Sequence, residues 1–316
     1  MLQHTTQAQP YHALLAAYRA SAAPHAAEQL HFAGVGDRDV YNITAPFADD
    51  GALVIAGRVE DRTNEHATTR FFVERDGVWL PRDDTPVLDL QDPFVTRVAG
   101  ELVLGGVEVI FDATGRHVTV WRTQFYRGAT LRELRHFATG PAGMKDIRLL
   151  ALPDQRILVL TRPLGLPGAR AAIGYTCLAT LDDLDADAIA RAPLFRDQFL
   201  PDEWGGANEA HVLANGLIGV LGHVAWMEAG DIRHYAAMSF VLRPETGEKT
   251  PLTIIATRSD FAPGPAKRAD LQDVIFSGGL VRQPDGSAWL YTGISDAAAH
   301  RLRIADPFLA AEQGTQ

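Results

Sequence analysis

From His31 onward, short runs of Val, Ile, Phe, Trp and Thr alternate with Gly, Asp, Asn and Pro clusters. Alternation of this kind between turn signals predicts β-strands. Residues 11–30 differ: they are Ala-rich, and Leu14, Leu15 and Tyr18 fall at helical spacing. The pattern divides the chain into a helical extension over 1–30 and one all-β domain over 31–316. Within that domain, Leu181–Ala192 has the acidic start and apolar spacing (Leu184, Ile189) of a short inserted helix.

The β-region repeats itself. A polar anchor opens an apolar segment, a turn follows, and a second strand ends on another polar residue. The pairs are Asn42 and Arg58, Asp92 and Glu108, Asp146 and Arg162, Asn208 and His223, Asp273 and Asp296. Their separations are 16, 16, 16, 15 and 23 residues, and the anchors recur every 50 to 65 residues. Periods of ~40–50 residues with several strands each are those of propeller blades, so a five-bladed β-propeller is expected. Antiparallel strands joined by a turn place the first residue of one beside the last of the other. If the five hairpins surround one axis, all ten polar residues face one end of one funnel. A ring of Asp, Glu, Asn, Arg and His on an apolar scaffold then reads as a polar ligand site, where independent turn caps would give no common spacing.

Composition narrows the chemistry. The formal net charge is −10, which argues against broad nucleic-acid binding but leaves room for a small basic pocket. The one cysteine, Cys177, sits in an apolar-leaning run and cannot form an intrachain disulfide. No metal-ligand spacing occurs, so no metal or cofactor is expected. No stretch approaches ~18 consecutive apolar residues, and no basic-then-apolar leader opens the chain. No membrane association is expected, and the cytoplasm is the expected location.

Several motifs carry chemistry. Gly57-Arg58-Val59-Glu60-Asp61-Arg62 puts Arg58, Glu60 and Arg62 on one strand face, suited to sugar hydroxyls or to salt bridges. In Gln91-Asp92-Pro93-Phe94 the proline restricts Asp92 to extended backbone, a rigidly aimed carboxylate suited to a general acid. Lys145, Arg162, His223, Lys267 and Arg268 supply cations near the funnel end of the later hairpins, as a phosphate site would need. Trp204-Gly205-Gly206-Ala207-Asn208-Glu209 joins an aromatic to an amide and an acid, a combination that sugar sites use, although its glycines also fit a β-bulge.

Taken in order, these strings resemble a known family. Asp39-Val40-Tyr41-Asn42-Ile43-Thr44-Ala45-Pro46-Phe47, Gly105-Gly106-Val107-Glu108, Lys145-Asp146-Ile147-Arg148, Gly264-Pro265-Ala266-Lys267-Arg268, Asp273-Val274-Ile275-Phe276-Ser277-Gly278-Gly279 and Tyr291-Thr292-Gly293-Ile294-Ser295-Asp296 extend the match over residues 31–308. The resemblance is to the β-1,2-mannan mannosyltransferase/phosphorylase group, long described as a domain of unknown function, and more distantly to inverting β-mannoside phosphorylases. It implies a five-bladed propeller and inverting transfer at a β-mannoside, with phosphate or a sugar nucleotide as co-substrate and α-mannose 1-phosphate as a product. It casts Asp92 as the general acid, and the polar ring and motifs read above supply Asn42, Arg58, Glu60, Glu108, Asp146, Asn208, Glu209, Asp273 and Asp296 as sugar contacts. Lys145, Arg162, His223, Lys267 and Arg268 become the phosphate contacts. Gln91 and Phe94 stand where the distant relatives have Glu and Arg, and Val224 follows His223 where they have Gly. A hydrolase on the same scaffold would pair Asp92 with Glu60, Asp273 or Asp296, and a non-catalytic sugar binder would bind without turnover and be indifferent to Asp92→Asn.

Overall fold

The computed structural model describes residues 7–21, 26–166 and 169–314. It is all-β apart from short helices, with five antiparallel meanders following one another along the chain. The first meander is built on Asp39–Tyr41, Ala52–Glu60, Ala67–Arg75 and Val78–Pro81, and the second on Gln91–Val98, Glu101–Phe111, Val118–Gly128 and Arg135–Thr139. The third has Arg148–Ala151, Ile157–Thr161 and Gly174–Leu178. The fourth (Glu203–Val212, Ile218–Glu228, Ile232–Leu242) and fifth (Asp273–Arg282, Ser287–Ile294, Ala298–Ala305) are joined by a two-residue parallel pairing of His234 and Tyr235 with Asp273 and Val274.

Turn chemistry sets the hairpins. Asp50-Gly51 and Ala99-Gly100 each connect paired strand ends with two residues at positive φ, the geometry whose twist matches flanking strands. The second strands outrun the ends read from the sequence: Arg58 and His223 lie inside continuous ladders, followed by further paired residues. A polar residue in these strands marks the site, not the strand end.

Apolar clusters separate successive meanders. Val54, Phe71, Leu102 and Leu104 fill the space between the first and second, Phe94, Val103, Ile147 and Val159 between the second and third. Leu158, Leu160, Val220 and Met238 join the third to the fourth, and Leu221, Val241, Ile275 and Leu290 the fourth to the fifth. A last cluster of Val40, Ile55, Phe72, Tyr291 and Ala299 joins the fifth back to the first. Ala26–Gln29 adds an antiparallel strand to Ala298–Ala305, so the chain's first strand completes its last sheet.

The predicted helices are present. Helix Tyr11–Ser21 buries Tyr11, Leu14 and Tyr18, at i, i+3 and i+7, against the cluster between the third and fourth meanders. Tyr18 donates to Asp260 Oδ2 at 2.7 Å. The insertion folds as a 3₁₀ turn Leu181–Asp183 and a helix Ala186–Ala190, with Asp185 capping Ala188 N–H.

The fifth repeat needs re-registering. Asn208 is the extra residue of a bulge between Ala207 and Glu209, and Gly278 occupies the same place between Ser277 and Gly279. Gly278 precedes Gly293 by 15 residues, as Asn208 precedes His223 in the fourth hairpin. The counterpart of Asn208 is therefore Gly278, not Asp273, five residues upstream. The reason is steric: a Cβ on Gly278 would lie 1.5 Å from the Ile43 carbonyl oxygen, so the close approach of first and fifth meanders excludes any side chain there.

Gly278→Ala is expected to lower stability by about 3 kcal/mol, because the obstacle is backbone and cannot rotate away. Gly216→Ala, on an exposed turn at φ +82° with nothing near its Cβ, should cost about 1 kcal/mol. Urea denaturation of the two variants measures the difference, and equal losses would show that the strands can part at Gly278.

Candidate active site

Three anchors share an unusual backbone. Asn42, Asp92 and Asp146 have φ of 45°, 49° and 59°. Asn and Asp tolerate this left-handed region better than other side chains. The extended backbone expected for Asp92 before Pro93 is therefore not found; its φ is left-handed. The register shift between Gln91 and Phe94 accommodates an extra residue there, and the carboxylate is tied down from the neighbouring meander.

The acids and bases form two linked groups. In the first, Asp92 Oδ1 accepts from Asn42 Nδ2 at 2.7 Å and from Arg58 Nη1 at 3.2 Å. Arg58 Nη2 also reaches Glu60 Oε1 at 2.7 Å, and its guanidinium lies over the Tyr41 ring. Glu60 Oε2 accepts from the Tyr41 hydroxyl and from Lys267 Nζ. Asp296, at left-handed φ, faces the same charges.

The second group centres on Asp146. Arg162 Nη1 lies 2.9 Å from Asp146 Oδ2, and His223 Nε2 lies 4.0 Å from it. His223 Nδ1 meets Asn208 Oδ1 at 2.9 Å, so the neutral ring carries its proton there. Arg162 Nε donates to Gly205 O and Arg148 Nε to Asn208 O, fixing both guanidiniums. Lys145 acts electrostatically on both Asp92 and Asp146 and links the groups. Among the described residues its amine makes no hydrogen bond or ion pair.

Electrostatics separates the carboxyls. Burial alone would raise Asp92, but Arg58 and Lys145 outweigh it and hold the carboxyl below its usual range. The same contest at Asp146, with Arg162 and Lys145 opposing burial, leaves it ionised far into acid. Asp296 goes the other way: burial and the nearby Asp92 charge raise it despite Arg58. Burial, helped by Arg162 and Lys145, pushes His223 down to about 3. Among the described residues, buried polar atoms of this region without a hydrogen-bond partner include Asn42 Oδ1, Arg58 Nε, Asp146 Oδ1 and Asn208 Nδ2. In a protein interior such atoms call for a ligand or water.

Not every predicted contact joins the cluster. Val107, not Glu108, pairs with the residue before Asp92, as Arg58 pairs with the residue before Asn42. One step along a pleated strand reverses the side-chain direction, so Glu108 turns to Arg122 and Gln124 at 2.6 Å each. Asp273 binds His234 Nδ1 at 2.6 Å, well upstream of the fifth bulge. Glu209 accepts from Leu280 N and meets His211, lining a cavity of about 130 Å³ whose wall it shares with Arg148 and Asn208. Lys267 and Arg268 are held by Glu60 and Glu65 and do not share the Asp146 group. Conversely, Tyr41, Glu65 and Arg148 belong to the site without having been singled out. Tyr41 and Arg148 stand in the motifs that hold Asn42 and Asp146, whereas Glu65 lies in a polar loop with no distinguishing pattern.

Such a cluster can set hydroxyl-binding amides and carboxylates beside an anion-binding group. Among the described residues no cluster of three or more His, Cys, Asp or Glu is placed to hold a metal ion, and no helix is long and apolar enough to cross a membrane. The chain belongs to the family described as a protein of unknown function, DUF1861, which matches residues 17–310. It is 35% identical to MPT-4, a mannose phosphorylase from Leishmania mexicana solved in complex with phosphate ion, over 95% of this chain and 94% of that one, with TM-score 0.87. MPT-1 from the same organism, a GDP-Man-dependent mannosyltransferase, is 32% identical over 94% of each chain, TM-score 0.86. The β-1,2-mannobiose phosphorylase of Listeria innocua shares the fold, at 11% identity, over 92% of this chain and 94% of that one, TM-score 0.56. No curated protein matches the chain.

The depressed pKa of His223 sets a pH signature. Its folded value of about 3 lies below the unfolded 6.5, so the unfolded state binds the extra proton between them and stability falls as pH drops through that window. Between pH 7 and pH 5 the wild type should lose about 2 kcal/mol more than His223→Gln. Urea melts at the two pH values test this, and identical losses would mean that the ring charges within the fold.

Proposed function

We propose that this chain is an inverting mannoside phosphorylase and mannosyltransferase working at the centre of a five-bladed β-propeller. The closed series of apolar clusters between five meanders supports the propeller. The observation that carries the chemistry is Asp92, a buried carboxyl set between Arg58 and the cations Lys145 and Arg162, with the neutral His223 beside them. That juxtaposition fits an acid on one side of a sugar and an anion on the other.

In the proposed reaction phosphate attacks C1 of a β-linked, preferably β-1,2, mannoside. The C1–O bond to the leaving sugar breaks, a C1–O bond to phosphate forms, and Asp92 protonates the leaving oxygen. The product is α-mannose 1-phosphate. Arg58 and Lys145 hold Asp92 ionised in the free site. A phosphate dianion beside Lys145 offsets one of those cations and lets Asp92 take a proton as the substrates assemble. Asp296, whose affinity for a proton is raised, is the nearby carboxyl able to supply one. Asn42 and Asn208 offer their unpartnered amide atoms to sugar hydroxyls. No second carboxylate is required as base, since phosphate is itself the nucleophile. Neither metal nor organic cofactor takes part in the scheme, and the single cysteine fits work in the cytoplasm.

The reading is tested by incubating the protein with β-1,2-mannobiose with and without phosphate. Mannose 1-phosphate should form only when phosphate is present. Free mannose released at the same rate without phosphate would make the enzyme a hydrolase.

Asp92→Asn should lower turnover of mannobiose ~10²–10⁴-fold, the scale of a lost general acid. Mannosyl fluoride, whose leaving group needs little protonation, should be partly spared. Equal losses on both donors would assign Asp92 to sugar binding and move the acid's role to Asp296.

A further inference from the structure

Behind the anchors lies a second, smaller space. The cavity of about 130 Å³ takes its wall from all five meanders, Thr44, Phe94, Arg148, Glu209, His211 and Gly278 among them. It therefore sits at their common centre. Thr44, Phe94 and Arg148 stand two residues beyond Asn42, Asp92 and Asp146, and form the next layer past the anchors. One water needs ~10–15 Å³ of such space, so there is room for an ion and several waters.

Arg148 brings an unopposed charge into this cavity. It is 3% exposed. Its Nε donates to Asn208 O at 2.7 Å and its Nη1 to Ile147 O at 3.0 Å, and the guanidinium lies 4.8 Å over the Phe94 ring. Among the described residues Nη2 makes no hydrogen bond, and no carboxylate pairs with the guanidinium. Burial lowers its pKa by more than Asp146 and Asp92 raise it, as for a charge left short of compensation. The other buried charges here are paired, Asp92 with Arg58 and Asp146 with Arg162. The acid on the cavity wall is already engaged. Glu209 meets His211 Nε2 at 2.8 Å. Burial opposes a charge on His211, but Glu209 outweighs it and raises the ring's affinity for a proton, so the protonated pair is neutral as a whole. Thr44 Oγ1 accepts from Ala56 N at 3.1 Å, which leaves its O–H to donate into the cavity.

We propose that this cavity holds a small monovalent anion of the chloride kind, on Arg148 Nη2 and the Thr44 hydroxyl. One guanidinium charge stands open, and one negative charge closes it. A phosphate dianion would bring a second charge with no cation to meet it. Water alone would satisfy the hydrogen bonds but not the charge. The anion is thus a different ligand from the reacting phosphate, whose cations surround Asp146. Its effect on turnover, which rests on the phosphorolysis reading of that site, runs through Asn208. Arg148 fixes the Asn208 carbonyl, and the Asn208 side chain orients His223 through Nδ1 at 2.9 Å. A neutralised Arg148 stays in that place, whereas a bare one is pulled towards Asp146.

Diffraction from crystals soaked in sodium bromide, measured at the bromine absorption edge, tests the site in the wild-type chain. An anomalous peak should lie against the Arg148 guanidinium. In solution, chloride or bromide should raise Tm by about 2–4 °C over gluconate, an anion too large for the cavity, at equal ionic strength. Arg148→Met should abolish both peak and shift, and Arg148→Lys, which keeps the charge, should retain part of the shift. The wild-type soak decides the matter even if Arg148→Met fails to fold. Chloride should also speed phosphorolysis of mannobiose ~5-fold. Bromide peaks confined to the outer surface, an adventitious ion only, overturn the proposal. So does a Tm that gluconate raises equally, or phosphate in the cavity where bromide is expected. A bound bromide with turnover unmoved by halide removes the link through Asn208. If bromide sits on Arg148 yet mannobiose and phosphate yield no mannose 1-phosphate, the phosphorolysis reading fails and the anion site stands. Mannose 1-phosphate formed by a protein with no bromide on Arg148 removes the anion site alone.

Discussion

Arg58 and Asp92 come from different sheets, and each is nearly excluded from water. A buried charge is tolerated only when it is paired and hydrogen-bonded, so the arrangement of the meanders around their common centre is inseparable from the pairing of these two residues. Asn42, also from the first meander, closes the contact at 2.7 Å. The second charged centre repeats the logic within one hairpin, with Asp146 against Arg162, and borrows His223 and Asn208 from the next meander. Apolar clusters hold the sheets together at their flanks. At the middle, ions specify which residues meet.

That arrangement sets a buried carboxyl and a group of cations side by side in one small space. Arg58 stabilises the ionised form of Asp92, yet it is shared with Glu60, Glu65 and the Tyr41 ring. Its field is therefore fixed and already divided before any ligand arrives. Lys145 has no competing partner among the described residues, so it is the cation whose influence a bound anion can change most. The charges are held in place by backbone as well as by one another. Left-handed φ at Asn42, Asp92 and Asp146 aims three side chains inward from positions where an ordinary strand would alternate them.

Most of this was legible in the sequence, because hairpin periodicity is a one-dimensional record of strand pairing. The recurring interval of 15 or 16 residues pairs Asn42 with Arg58, Asp146 with Arg162 and Asn208 with His223 from the chain alone. It failed where the pleat or the bulge changed phase. Glu108 has the right spacing, but it lies one residue past the position that faces inward. Asp273 looked like an anchor because Gly278, the true equivalent, has no side chain to announce itself. Pairwise electrostatics was also beyond the sequence: Lys267 and Arg268 read as free cations until Glu60 and Glu65, more than two hundred residues upstream, were placed against them. Glu65 itself was invisible, since a loop acid acquires meaning only from what surrounds it.

The strand Ala26–Gln29 lies against Ala298–Ala305, and Glu28 grips Arg301 across a sequence separation of 273 residues. The last sheet cannot be completed until the ribosome has delivered both ends of that pairing. Each meander is local and can form early, but the closing contact is among the most remote in the chain, and remote contacts are slow to find. The charged centre, which depends on the first and fifth meanders meeting, is thus a late event in the life of each molecule. By contact order each sheet is expected to form ahead of the charged centre, which is completed only once the chain's beginning has met its end.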